Sequence, residues 1–200
     1  MSIYVELDQN SDAWFQEKLG KPSASNASKI LTSTGKVSTQ REGYLYELAA
    51  ERITGRREET YVNLSMVRGQ ELEDESRKLY ELIHGVEVKK GGVIYQNEEK
   101  KFLCSPDGII NNEYGLELKN PLPKNHIKYL LDGEVPTEYY VQVQFSLFVS
   151  GFPYWDFMSH SAGLKPLILR ETPDEVFQRL LKTELDRFCS ELDELVKKLT

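Results

Sequence analysis

Apolar residues recur at helical intervals through the first part of the chain, fall into short β-rich runs in its middle, and return to helical spacing at the end. The first pattern predicts a helix over about Asp12 to Leu19. A second helix runs to about Leu31 from the Ser23 to Asn26 stretch, where Ser or Asn can cap it. A third spans about Arg41 to Ile53 and stops at Gly55. A fourth runs from about Leu64 to His84 and stops at Gly85, with Leu72, Leu79, Leu82 and Ile83 spaced to cover one face. Val86 to Tyr95, Lys101 to Ile110 and Glu113 to Leu118 then read as a strand meander. Helices are expected at about Lys124 to Leu131 and at Pro136 to Ser150, the latter with its proline in the first turn. Strands follow at Tyr154 to Ser161 and Pro166 to Arg170. The last helix, about Asp174 to Leu199, places Phe177, Leu180, Leu181, Leu185, Phe188, Leu192 and Leu195 at helical intervals, an apolar stripe expected to pack on the body. The sum is an α/β fold with a central mixed sheet flanked by helices. No repeat or linker interrupts residues 1–200, which are expected to form a single domain.

Composition narrows the class. The 200 residues are 40% hydrophobic, as in one globular domain. No apolar run approaches the roughly 20 residues of a membrane span, and MSIYVELDQN lacks the layout of a secretion signal, so a soluble, cytoplasmic protein with no membrane contact is expected. Cys104 and Cys189 form no CxxC pair, which points away from a zinc site and a disulfide framework, and both should be reduced. The formal charge of −7 argues against coating DNA through the overall field. Yet Lys18, Lys21, Lys29, Lys36 and Arg41 lie in a stretch without an acid, a composition equipped to hold phosphate.

The densest chemistry is Ser105-Pro106-Asp107-Gly108 followed by Glu117-Leu118-Lys119. On a strand, Glu117 and Lys119 share a face, and Asp107 can reach them across a hairpin. Two carboxylates and a lysine suit phosphodiester hydrolysis, because Mg²⁺ takes one or two carboxylates with water and substrate phosphate. Asp107, Glu117 and the Leu118 carbonyl supply oxygens. Lys119 stabilises charge on the phosphorane or positions the water, or serves as base where neighbouring cations lower its pKa. Glu73, among Glu71, Asp74 and Glu75, is a further candidate carboxylate. Gln142 and Gln144 lie amid apolar residues and need polar partners, such as phosphate or metal-bound water. His84, His126 and His160 require no catalytic role, with His126 expected at the surface or a helix start. Trp14 and Trp155 are expected in the core.

Six ordered motifs then give a resemblance. Trp14 to Gly20, Ser23-Ala24-Ser25, Gly69 with Leu72-Glu73, Cys104 to Gly108, Gly115 to Lys119 and Tyr139 with Gln142-Val143-Gln144 resemble lambda-type (YqaJ-like) viral recombination exonucleases of the PD-(D/E)xK superfamily. The resemblance implies a restriction-endonuclease-like fold and a homotrimer ring around DNA. It implies digestion of one strand of double-stranded DNA from its 5′ end, leaving a 3′ overhang for a single-strand annealing protein in a phage-infected bacterial cell. It also implies two Mg²⁺ ions per site, with Mn²⁺ able to substitute, held by Asp107, Glu117 and the Leu118 carbonyl, with Glu73 acting through water. Lys119 matches the catalytic lysine, and Gln142 a glutamine near the scissile bond. Lys18 and Ser25 match a pocket for a 5′-phosphorylated end, and Lys124 adjoins a further DNA-contacting position held here by Asn125. Lys18 stands where arginine is expected, as does Ser33-Thr34-Gly35. The competing readings are a structure-specific or restriction-like endonuclease on the same fold and a catalytically silent module that binds DNA ends.

Overall fold

The structure is a computed structural model that describes residues 2–57 and 72–200. Among these, β1 (Ile3–Val5), α1 (Asp12–Lys18), a 3₁₀ segment (Ala24–Lys29), α2 (Arg41–Thr54) and α3 (Glu73–His84) precede the strands β2 (Val88–Lys89), β3 (Val93–Tyr95), β4 (Leu103–Cys104), β5 (Gly108–Ile110) and β6 (Tyr114–Lys119). Then come α4 (Pro123–Asp132), α5 (Thr137–Ser150), β7 (Trp155–Ser159), β8 (Leu167–Glu171) and α6 (Glu175–Leu199). The expected fourth helix survives as α3; its first part, 64–71, lies outside the described residues, as do Gly69 and Glu71.

The strands form a five-stranded sheet, order β2-β5-β6-β7-β8, and a three-stranded sheet, order β1-β3-β4. In the larger sheet only β6 and β7 are parallel, because α4 and α5 carry the chain across before it re-enters. The central mixed sheet flanked by helices is therefore as expected. One face buries Ile109, Trp155 and Phe157 with Val141 and Phe145 of α5 and the stripe of α6, including Phe177, Leu181, Leu185 and Phe188; Leu180, expected in that stripe, turns out to solvent beside it. The other face buries Ile110, Leu116, Leu118 and Met158 with Tyr80 of α3.

Local chemistry sets the helix ends. Ser11 accepts the Trp14 amide at the start of α1, and Asp174 accepts the Val176 and Phe177 amides at the start of α6. Gly55, Gly85, Gly133 and Gly151 close α2 to α5 in left-handed geometry. Pro136 is the cap of α5 rather than its first residue.

Three expectations change. The meander is two hairpins in two sheets. The predicted strand Val86–Tyr95 breaks at Gly91-Gly92, and the predicted strand Lys101–Ile110 breaks at Ser105 to Asp107. The breaks face one another so tightly that a Cβ on Gly91 would lie 1.9 Å from the Pro106 carbonyl oxygen. The segment after Ser23 is a short 3₁₀ turn. Finally, α3 buries Ser76, Arg77 and Tyr80, while Leu82 is 81% exposed and Ile83 is also exposed. The buried face was hidden because two of its members are polar.

Gly91→Ala should therefore lose about 1–3 kcal/mol of stability by overpacking. Urea unfolding measures it, and an unchanged midpoint would mean that the two breaks do not bear on each other.

Candidate active site

Side chains alternate along β6, so Leu116 and Leu118 enter the core under α3 while Glu117 and Lys119 face the opposite side, toward α5. Register places Asp107 beside them: β5 and β6 pair Gly108 with Leu116, and the Asp107 amide donates to the Leu116 carbonyl at 3.0 Å. Asp107 Oδ2 accepts the Leu118 amide at 2.7 Å. Within one strand residue the N–H and C=O leave along the same edge. The Leu118 carbonyl thus points to the Asp107 edge, beyond the last rung of β5, whereas the Lys119 carbonyl points the other way and accepts the His160 amide.

Glu117 is 2% exposed and its Oε1 accepts from Lys119 Nζ at 2.5 Å and from Gln142 Nε2 at 2.6 Å. Lys119 Nζ also lies 4.9 Å from the centre of the Tyr139 ring. From α3, Glu73 Oε1 accepts from Arg77 Nη2 at 2.5 Å, and Arg77 donates onward to the Asp107 carbonyl at 3.2 and 3.3 Å. Arg77 also grips Asp74. Asp107, Glu117, Lys119, Gln142 and Glu73 thereby line one cleft of about 580 Å³.

Electrostatics follow from this crowding. Burial, then the Asp107 charge, pushes the Glu73 carboxyl up to about 7. Burial and the Asp107 and Glu73 charges, against the pull of Lys119, push Glu117 up to about 7. Burial raises Asp107 as well. For Lys119, burial opposes the charge, but Glu117 and Asp107 outweigh it and hold the ammonium above its ordinary value. Its neighbours are acids rather than the cations a lysine base would need. A protonated Lys119 is the form this site favours.

Among the described residues no group of three or more His, Cys, Asp or Glu side chains forms a ready metal cage. The donor set nevertheless fits a hard cation. Asp107 and Glu117 bring like-charged oxygens together with the outward Leu118 carbonyl, and Mg²⁺ typically needs one or two carboxylates, keeping several waters. Glu73 stands at the margin of the same cleft.

The cleft also holds Lys18 and Ser25, and it shares them, with Ser23 and Arg57, with an inner pocket of about 80 Å³. Burial, then Arg57, lowers Lys18 to about 8. Lys124 is exposed in the first turn of α4 and does not line the cleft. Two other basic residues of the Lys18–Arg41 stretch serve less than expected: Lys29 pairs with Glu47 at 2.9 Å and Arg41 with Glu191 at 2.6 Å. Those pairs bind the segment to the body of the molecule.

Other expectations need correction. Gln144 is bound to the Thr172 carbonyl and the Asp174 amide, joining α5 to α6 rather than reaching the cleft. Trp155 is core, but Trp14 lines the cleft, its indole N–H donating to Ser105 at 2.9 Å. His126 lies near the start of α4, one of the two places expected, but not at the surface: it is fully buried between Ser159 (2.7 Å) and the Lys165 carbonyl (2.9 Å), which requires a proton on Nε2. Arg77, Arg57 and Gln9, which donates to the Pro106 carbonyl at 2.8 Å, were missed. For Arg77 the signal was its place one turn after Glu73; Gln9 and Arg57 reach the cleft only through tertiary folding.

Residues 13–153 match the model of the family described as "YqaJ-like viral recombinase domain". No curated protein sequence matches. Among solved structures, an alkaline exonuclease of Laribacter hongkongensis superposes with a TM-score of 0.85 at 29% identity, over 94% of this chain and 96% of that one. The same enzyme in complex with dAMP gives 0.85 at 28% identity, with the same coverage. A phage-related exonuclease from Haemophilus somnus 129PT, at 14% identity, shares the fold with a TM-score of 0.71 over 90% of this chain and 96% of that one.

The raised Glu73 carboxyl has a stability consequence. A folded-state pKa above the unfolded value means stability present below about pH 4.5 and lost as pH rises through about 7. Glu73→Gln should therefore gain in stability relative to the unsubstituted chain across that window and change little above it. Chemical denaturation at several pH values, with chelator present, reads the difference; a constant offset would contradict the shift.

Proposed function

The chain belongs to the YqaJ-like viral recombinase family, and from that membership we propose a Mg²⁺-dependent exonuclease that digests one strand of duplex DNA from its 5′ end. The resulting 3′ overhangs would serve phage-type homologous recombination. A DNA exonuclease role is supported by the family and by the likeness to the Laribacter alkaline exonuclease. The observation that carries the reading is the single cleft in which buried Glu117 and half-buried Asp107 and Lys119 open toward a pocket containing Lys18 and Ser25. Hydrolytic and phosphate-binding groups are thus continuous, which favours action at an end over the endonuclease alternative. An intact acid and lysine set speaks against a silent binding module.

Asp107, Glu117 and the Leu118 carbonyl would hold two Mg²⁺ ions, with Glu73 contributing through water and Mn²⁺ able to substitute. When bound, the ions supply Lewis-acid activation of the scissile phosphate and of the attacking water. Lys119 keeps its proton and offers positive charge to the oxygens of the phosphorane. Gln142 holds the orientation of the Glu117 carboxylate through Oε1. Arg77 ties Glu73 and the Asp107 turn to one guanidinium. Lys18 and Ser25 receive the terminal 5′ phosphate, and Lys124, on the outer surface, meets the DNA backbone. Family membership further supports a single nuclease domain over 1–200 that works as a homotrimer ring, hands its product to a single-strand annealing protein, and acts in the cytoplasm of a phage host. No helix among the described residues is long and apolar enough to cross a membrane.

Asp107→Ala and Lys119→Ala should each reduce cleavage by at least about 100-fold, with melting temperatures showing a retained fold. Full activity in either variant rejects the assignment. Linear duplex with Mg²⁺ should lose one strand from a 5′-phosphorylated end, chelator should stop the loss, and covalently closed circles should survive. Cleaved circles would establish the endonuclease reading instead.

A further inference from the structure

Two cations approach the inner pocket from different elements. Lys18 is the last residue of α1, and Arg57 follows the end of α2. Both line the inner pocket and the cleft that leads to Asp107 and Glu117. The pocket's other charges are engaged: Lys21 bonds the Glu17 carbonyl at 2.5 Å, Glu47 pairs with Lys29, and Glu51 accepts the Gly20 amide at 2.8 Å. Among the described residues no carboxylate forms an ion pair with Lys18 or Arg57. Each rests instead on an aromatic face, Lys18 Nζ 3.6 Å from the centre of Trp14 and the Arg57 guanidinium 4.9 Å from that of Phe15. Trp14 and Phe15 themselves meet edge to face at 5.0 Å. Two positive groups are thus held in place at one pocket with the hydroxyls of Ser23 and Ser25 beside them.

We propose that Arg57 is the residue that selects the 5′-terminal phosphate, its guanidinium gripping the phosphomonoester in the pocket it lines together with Lys18. The proposal rests on the end-directed exonuclease reading given above. A terminal phosphomonoester carries a charge of about −1.5 to −2 near neutral pH, which two cations match and one does not. The two side chains divide the work by their chemistry. An ammonium is a point charge, while a guanidinium presents a planar fork that pairs two phosphate oxygens at once and never loses its proton. Burial, with Arg57 second, weakens the hold of Lys18 on its proton, so the permanent charge of the pocket is that of Arg57. The ring of Phe15 fixes the guanidinium before the ligand arrives, which lowers the entropy lost on binding.

The test is equilibrium binding by fluorescence anisotropy, with chelator to prevent cleavage, of duplexes identical except for a 5′ phosphate or a 5′ hydroxyl. The intact protein should favour the phosphate. Arg57→Ala should shrink the ratio of the two Kd values about tenfold or more, the weight of a hydrogen bond to a charged group. Arg57→Lys should recover only part of it. Arg57 is exposed, so truncation should leave the melting temperature unchanged. An unaltered ratio in Arg57→Ala, with the intact protein still discriminating, overturns the role of Arg57 alone. Full recovery by Arg57→Lys overturns the forked grip. Equal affinities in the intact protein overturn the end-pocket reading itself, and the proposal with it.

Discussion

Holding half-buried Asp107 close to fully buried Glu117 is the constraint on which the rest of the site depends. Two crowded carboxylates with restricted access to solvent repel one another and resist ionisation, and a third at Glu73 adds to the field. The fold answers with polar groups on every approach. Lys119 and Gln142 take one oxygen of Glu117, the Leu118 amide takes one of Asp107, and Arg77 neutralises Glu73 while holding the Asp107 carbonyl. These partners come from β6, α5 and α3, so the three elements are fastened to one another at the point of highest electrostatic tension. A stable hydrophobic core elsewhere, between the sheet and α5 and α6, carries the cost.

Much of this was legible in the sequence, for reasons that can be traced. Period-two alternation put Glu117 and Lys119 on one face, and a short hairpin brought Asp107 to them; both are local properties. Helix ends were legible because Gly55 and Gly85 mark them. The breaks at Gly91 and Pro106 were not, because they arise from the packing of two sheets against each other, and a run of β-forming residues looks the same in one sheet as in two. The inner face of α3 was misassigned for a related reason. Leu82 and Ile83 look like core, yet Ser76 and Arg77 are buried because they have polar work to do, on His160 and on the Asp107 turn.

The basic stretch teaches the opposite lesson. Its positive charge was plain, but composition does not reveal pairing, and Lys29 and Arg41 are bound by acids distant in sequence on α2 and α6. What remains for a ligand is a smaller set at the mouth of one pocket. A charge becomes available only where the fold withholds its partner, and Arg57 joins Lys18 there from a part of the chain that composition did not single out.

Leu118 shows how economically a strand can be used. Its side chain lies in the core beneath α3, while its amide meets Asp107 and its carbonyl leaves along the same edge of the strand. The oxygen it turns toward the chemistry belongs to the main chain and is identical for every residue that fits the core. Substitution at 118 is therefore filtered by volume and shape alone, and sequence variation there can track the repacking of α3 while the polar frame of the site stays unaltered. Position 118 is thereby uncoupled from its neighbours 117 and 119, whose side chains face the cleft and where a change of side chain alters the polar frame itself.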